Sequence, residues 1–386
     1  MRPLTTLVAV VVTIGLTVPS YANPSLVDDS DLSNPAAAAK SLERLEQEAR
    51  AEPDAWVFPV QSAQSATVAK TVLAKTGKLS RVKLDGGAWT SADAEGRIEL
   101  PISAGAHTLR ISLDNAFWNF KGKNDKSYEW ELAFTAGEGG VDLGEVSPKP
   151  GSESASVALL HRTFLEAKDF LGREGDHDWW TRSLRVNWPS NSDHFSPWAF
   201  SIDLSNAQAW DVVLHELGHA VMHGSMQARS AGGSHKIDEC YSEALAWSEG
   251  WASYFAASVR LSRDAADARF EYLVPRRAPI RLENVPADVC NGPKNEWRVA
   301  AGLWDLLDRH PDGGDAVALS FAETWKPLRG KAMGSVGEAW ALMSTGLTPE
   351  QKAAGNAALI HNTVHASAPA IALRLPLLPE GWASPR

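Results

Sequence analysis

The feature that most constrains this chain is a change of period near residue 150. From Trp56 to about Val146, apolar residues alternate with polar ones at Val82/Leu84, Ile98/Leu100/Ile102, Leu109/Ile111/Leu113 and Trp130/Leu132/Phe134. Alternation of period two puts every second side chain on one face of a strand. Turn residues separate the runs at Asp85-Gly86-Gly87, Glu95-Gly96 and Gly122. The stretch Pro148-Lys149-Pro150-Gly151-Ser152 then breaks the pattern, and beyond it Val157, Leu160, Phe164, Ala167 and Leu171 recur on one helical face. The expected fold class is therefore α+β, with an all-β sandwich at 55–148 followed by a mainly helical domain at 152–386 that holds a small mixed sheet.

In the helical part, helices are expected at about 154–171, 206–223, 242–260, 294–310, 335–343 and 349–361. Ser205-Asn206-Ala207-Gln208 supplies a capping-box signal for the second, and Thr348 caps the last. Strands are expected at 184–188 and 199–204, the latter with Phe200, Ile202 and Leu204 facing one way. Of the 16 tryptophans, Trp179, Trp180, Trp188 and Trp198 cluster ahead of the 206–223 helix. Core packing is the expected use of such residues.

The N-terminus reads as a secretory signal at 1–22, with Met1-Arg2, an apolar run from Leu7 to Val18, and cleavage after Ser20-Tyr21-Ala22. That run is about 12 residues, short of the ~20 that cross a bilayer, so no stable membrane insertion is expected after cleavage. Residues 23–54 read as a leader or linker. The expected location is secreted or periplasmic, where Cys240 and Cys290, the only cysteines, would pair as a disulfide. With 37 Lys plus Arg against 47 Asp plus Glu, the formal net charge is −10, which excludes a predominantly basic nucleic-acid-binding surface.

The chemistry is carried by His215-Glu216-Leu217-Gly218-His219 inside the expected 206–223 helix. Residues four apart on a helix rise about 6 Å and turn about 40° past a full turn, so both imidazoles leave one face and can share one ion. Glu216 lies at the edge of that face, close enough to reach a water on the ion and too close to its own turn to be an easy ligand, which suits a general base. Random placement of this chain's His and Glu would give the pattern about 0.02 times, so it is informative in a helical context. His223 continues the row, but three histidines on one straight helix span about 12 Å and do not converge on one ion.

A catalytic zinc needs a third protein ligand and an open position. The metzincin arrangement fails, because Met222 and Ser225 stand where it requires Gly and His. The segment Ala246-Trp247-Ser248-Glu249-Gly250-Trp251-Ala252-Ser253-Tyr254-Phe255, with His215–His219, resembles the active-site helices of gluzincin peptidases, aminopeptidase N-like enzymes in particular. In those enzymes the Glu of E-G-x-A-x-Y-F is the third zinc ligand. The resemblance thus implies a zincin-type catalytic domain at 152–386 with Zn2+ held by His215, His219 and Glu249, although the 29 residues between His219 and Glu249 exceed the spacing in aminopeptidase N-like enzymes. Glu243 is the competing third ligand. It lies about 600° of rotation from Glu249 on the same helix, so the two carboxylates cannot both face the metal, and Glu243 is otherwise expected to cap the helix or orient a ligand imidazole. Gly250 is expected to let the two active-site helices approach closely.

Upstream, Asp85 to Leu113, with Ala94-Glu95-Gly96-Arg97-Ile98 and Ala104-Gly105-Ala106-His107, resembles the transthyretin-like or carboxypeptidase-regulatory-like sandwiches that accompany secreted enzymes. The strand at 199–204 is placed where zincins keep the edge strand that pairs with an extended peptide, or else is an ordinary sheet strand. His235, Tyr241, Tyr272 and His361 are the candidates for stabilising a developing oxyanion. Together these readings describe a secreted zinc metallopeptidase that hydrolyses peptide or protein substrates, with Glu216 as general base. The alternative is a non-catalytic binding or adhesion protein on a degenerate zincin scaffold. Cleavage specificity and oligomeric state are not set by the sequence.

Overall fold

The computed structural model describes residues 71–175, 177–227, 233–273, 279–310 and 316–363. The expected signal at 1–22 and leader at 23–54 lie outside the described residues, as does the start of the expected sandwich. Strands and helices are both present, and the fold is α+β. Among the described residues no helix is long and apolar enough to cross a membrane.

The alternating runs form strands β1 (Thr71–Lys75), β2 (Arg81–Leu84), β3 (Thr90–Ser91), β4 (Arg97–Pro101), β5 (Gly105–Ser112), β6 (Trp118–Lys121), β7 (Glu129–Ala136) and β8 (Val141–Glu145). One sheet has the order β4-β1-β8 and a second the order β3-β2-β5-β7. Their inward positions are the apolar members of each alternation, including Val72, Val82, Ile98, Leu109, Ile111, Trp130 and Phe134, all buried. At the β4 entrance Gly96 has φ +79°, and a Cβ there would lie 2.6 Å from the Gly77 carbonyl carbon, so the tight approach of these turns requires glycine.

Strand β6 departs from this plan. It pairs in parallel with β9 (Leu184–Asn187), which pairs with β11 (Ser201–Asp203), and β10 (His194–Ser196) closes the far side antiparallel. The resulting mixed sheet, order β10-β11-β9-β6, takes strands from both sides of residues 148–152. Hydrogen bonds from Trp118 Nε1 to His161 Nδ1 (3.1 Å) and from His161 Nε2 to the Lys78 carbonyl (2.8 Å) cross the same boundary. The β-rich and helical parts thus form one compact unit.

The sheet order decides between the two expectations for the 199–204 strand. Residues 201–203 lie inside the sheet, flanked by β9 and β10, and are an ordinary sheet strand. The outer strand beside them is β10, whose Phe195 packs 5.6 Å from the ring of His223.

The helices are α1 (Glu153–Glu174), α2 (Trp210–Ser225), α3 (Glu243–Arg260), α4 (Glu296–Asp305), α5 (Phe321–Trp325), α6 (Val336–Met343) and α7 (Pro349–Thr363). Ser152, Ser242, Asn295, Ser320 and Ser335 cap the first, third, fourth, fifth and sixth, each accepting a backbone N–H from within the first turn. The second begins four residues later than expected. The Ser205 hydroxyl is committed to Asp193 (2.6 Å), and the Asn206 side-chain oxygen Oδ1 accepts the Gln208 N–H (2.9 Å), so neither residue caps a helix. Helix α2 starts at Trp210 without a side-chain cap, with Asp211 in its first turn.

Tryptophan serves the core. Trp118, Trp247, Trp251, Trp304 and Trp325 are fully enclosed and Trp179 stacks on Trp180, whereas Trp198 stands almost entirely in solvent.

Candidate metal centre

Helices α2 and α3 cross where their backbones can nearly touch. A Cβ on Gly218 would lie 2.8 Å from Ala252 Cα and 2.9 Å from its carbonyl oxygen, so the glycine inside H-E-x-x-H sets the crossing distance. That crossing brings the side chains one turn away together. His215 Nε2, His219 Nε2 and Glu249 Oε2 are each 3.1 Å from the other two. Each residue offers one ligand atom, which makes the trio a group able to hold a metal ion. Two imidazoles and a carboxylate are a donor set suited to zinc, and edges near 3.1 Å are close to those of a tetrahedron with bonds of about 2 Å.

The outer nitrogens are also engaged. His215 Nδ1 is 3.1 Å from Ser253 Oγ, and His219 Nδ1 is 3.4 Å from Ser248 Oγ. Both hydroxyls come from α3 and can accept an Nδ1–H, which leaves both Nε2 atoms facing Glu249. Burial opposes a proton on His219, but the charge of Glu249 and its hydrogen bond prevail and raise the imidazole pKa to about 9. In the opposite sense, burial opposes the charge on Glu249, yet the two imidazoles hold it far below the usual carboxylate range. The cluster therefore favours positive charge at its centre. Glu216 is buried on the same helix between the two histidines, and its charge adds to that field at His219.

Other sequence candidates divide clearly. Glu243 is exposed in the first turn of α3 and belongs to no metal-holding group among the described residues, which leaves it beside the positive end of the helix. His223 lies against Phe195 and Phe200 on the sheet side, where burial and then Arg182 lower its pKa. Tyr241 donates its hydroxyl to Glu239 (3.1 Å), Tyr272 is bonded through its backbone N–H to Asp211 (2.6 Å), and His361 is exposed near the end of α7. Of the four oxyanion candidates, His235 is the one in ion-pair contact with the group, its Nε2 3.7 Å from Glu249 Oε2.

A residue that sequence reasoning did not single out stands beside it. Glu296, first residue of α4, lies 3.2 Å from His235 Nε2 and is almost fully buried. Burial, reinforced by Glu249 and opposed by His235 and His219, raises its pKa to about 7. The signal that could have found it is Gly250. A Cβ there would lie 2.5 Å from Val299 Cγ1 and 3.0 Å from the Glu296 carbonyl oxygen. The glycine therefore admits α4, and not the H-E-x-x-H helix α2 as expected, and so brings Glu296 to the cluster.

Covalent and polar links fix this third element. Cys240 and Cys290 form a disulfide. Cys290 N–H donates to the Asp238 carbonyl (3.0 Å), Tyr241 N–H to that of Lys294 (2.9 Å), and Asn295 Nδ2 to those of Ile237 and Glu239 (2.7 and 2.9 Å).

Residues 173–333 match the family model of the Mycolysin C-terminal domain. The matched segment includes α2, α3, α4 and every residue of the cluster. It points to a zinc metallopeptidase, and hence to peptide or protein substrates. No curated protein matches the sequence.

Proposed function

We propose that this protein is a secreted, gluzincin-type zinc metallopeptidase, with Zn2+ held by His215, His219 and Glu249 and Glu216 acting as general base. The observation that carries this reading is the convergence of three ligand atoms, 3.1 Å apart, from two helices with a buried Glu beside them. The Mycolysin C-terminal match over the same helices supports it independently.

When bound, zinc supplies the Lewis acidity that lowers the pKa of a water toward about 7 and polarises a carbonyl. The protein supplies the rest. Ser253 and Ser248 orient the two imidazoles, and Glu249 completes a set with net charge −1, which leaves a divalent ion partly uncompensated and still acidic. Glu216 accepts the proton of the attacking water and passes it to the departing amine, so that one carboxylate serves both halves of the hydrolysis.

A non-catalytic scaffold would have no need for Glu216. Glu216→Gln is therefore the decisive variant. It should retain zinc at near-normal occupancy while kcat on a peptide library falls by about 10²-fold or more. Wild-type hydrolysis should stop with a chelator and return with zinc. A Gln variant that keeps most of its activity removes Glu216 from the mechanism, and a wild type without metal-dependent hydrolysis favours the scaffold.

A further inference from the structure

A second group of three ligand atoms adjoins the first. His235 Nε2 lies 3.2 Å from Glu296 Oε2 and 3.7 Å from Glu249 Oε2, and the three residues form a further group able to hold a metal ion. His235 Nδ1 is 3.0 Å from the Gly233 carbonyl oxygen. A carbonyl only accepts, so a ring proton sits on Nδ1, and Nε2 is the atom left to face the two carboxylates. A charge-assisted N–H···O bond between Nε2 and a carboxylate would close to about 2.7–2.9 Å. Both separations are longer. They resemble the edges of a coordination polyhedron with bonds of about 2.0–2.2 Å.

We propose that His235, Glu296 and Glu249 form a second site for a divalent transition cation, with Glu249 bridging it to the first. This rests on the reading of His215, His219 and Glu249 as the first site. One imidazole with two carboxylates selects ions of the zinc class over calcium or magnesium, which prefer all-oxygen sets. The second site is the weaker, having one imidazole where the first has two and sharing its Glu249 charge. Its side chains reach the surface through His235, 26% exposed against 11% for Glu296 and 9% for Glu249, so the ion exchanges from the His235 side. Carboxylate-bridged pairs of this kind hold their ions about 3.5–4 Å apart.

Zinc titration of the chelator-stripped full-length protein, followed by native mass spectrometry and competition with a chromogenic chelator, tests the site. Wild type should bind two equivalents. His235→Ala, in a loop, and the near-isosteric Glu296→Gln should each weaken the second at least tenfold and leave the first within about threefold. His215→Ala should remove the first. Saturation at one equivalent, or a second equivalent that survives both substitutions unchanged, overturns the second site and leaves the first intact. Binding of no zinc at all overturns both.

Discussion

His161 and His219 both lie largely out of solvent, and burial disfavours a proton on each, yet one is driven down to a pKa of about 4 and the other up to about 9. Their neighbours account for the contrast. His161 sits between Trp118 Nε1, which can only donate, and the Lys78 carbonyl, which can only accept. Those two partners demand a neutral ring with its proton on Nε2, and a second proton on Nδ1 would face a donor. His219 instead meets Glu249 at 3.1 Å, and a carboxylate reverses the effect of burial. A buried histidine here is thus a structural link or a candidate ligand according to whether its partners are an amide and an indole or a carboxylate.

Removing the carboxylate is the largest way to break that contrast. Glu249→Ala should lower zinc affinity well beyond the 10–100-fold typical of residues that merely support a ligand, whereas exposed Glu243→Ala should cost less than tenfold. Zinc retained against a competing chelator measures both, and the reverse order would transfer the ligand role to Glu243.

Next in size is the pH dependence of His161. Its folded pKa lies below the unfolded value near 6.5, so its contribution is complete above pH 6.5 and is lost as pH falls toward 4. The full loss is about 3 kcal/mol, since each tenfold weakening of proton affinity corresponds to about 1.4 kcal/mol. Urea unfolding at pH 7.5 and pH 4.5 should show this fall in wild type, and His161→Gln, which keeps a donor and an acceptor, should lack most of it. Equal pH slopes in the two proteins would refute the assignment.

What could be read from the sequence follows from how local each signal is. His215 and His219 share a helix face by spacing alone, and Ser152, Ser242 and Ser335 cap helices within a residue or two of where the periodicity begins. The α+β division followed from the change of period. Strand β6 escaped notice because it is four residues long and gains its meaning only by pairing with β9, more than 60 residues away. Glu296 escaped for a related reason. On its own helix it is an acidic first-turn residue like many others, and only the packing of α4 on Gly250 turns it toward Glu249. The Ser205 cap failed through competition, because Asp193, just ahead of β10, claims the hydroxyl that the capping pattern requires.

The smallest expected effect tests the contrast at a single ring atom. His161 carries its proton on Nε2, whereas zinc held as proposed would take the Nε2 atoms of His215 and His219 and leave their protons on Nδ1, facing Ser253 and Ser248. Loss of such a partner typically costs 10–100-fold in metal affinity. The contact to Ser253 is 3.1 Å and that to Ser248 is 3.4 Å, near the limit of a useful hydrogen bond. Ser253→Ala should therefore weaken zinc binding by about tenfold or more, and Ser248→Ala by less. Nitrogen NMR of the zinc-loaded protein should report the Nδ1–H form for both ligand histidines and the Nε2–H form for His161. An Nε2–H signal from His215, or a Ser248→Ala effect larger than that of Ser253→Ala, would show that the α3 hydroxyls do not set the orientation of the ligand rings.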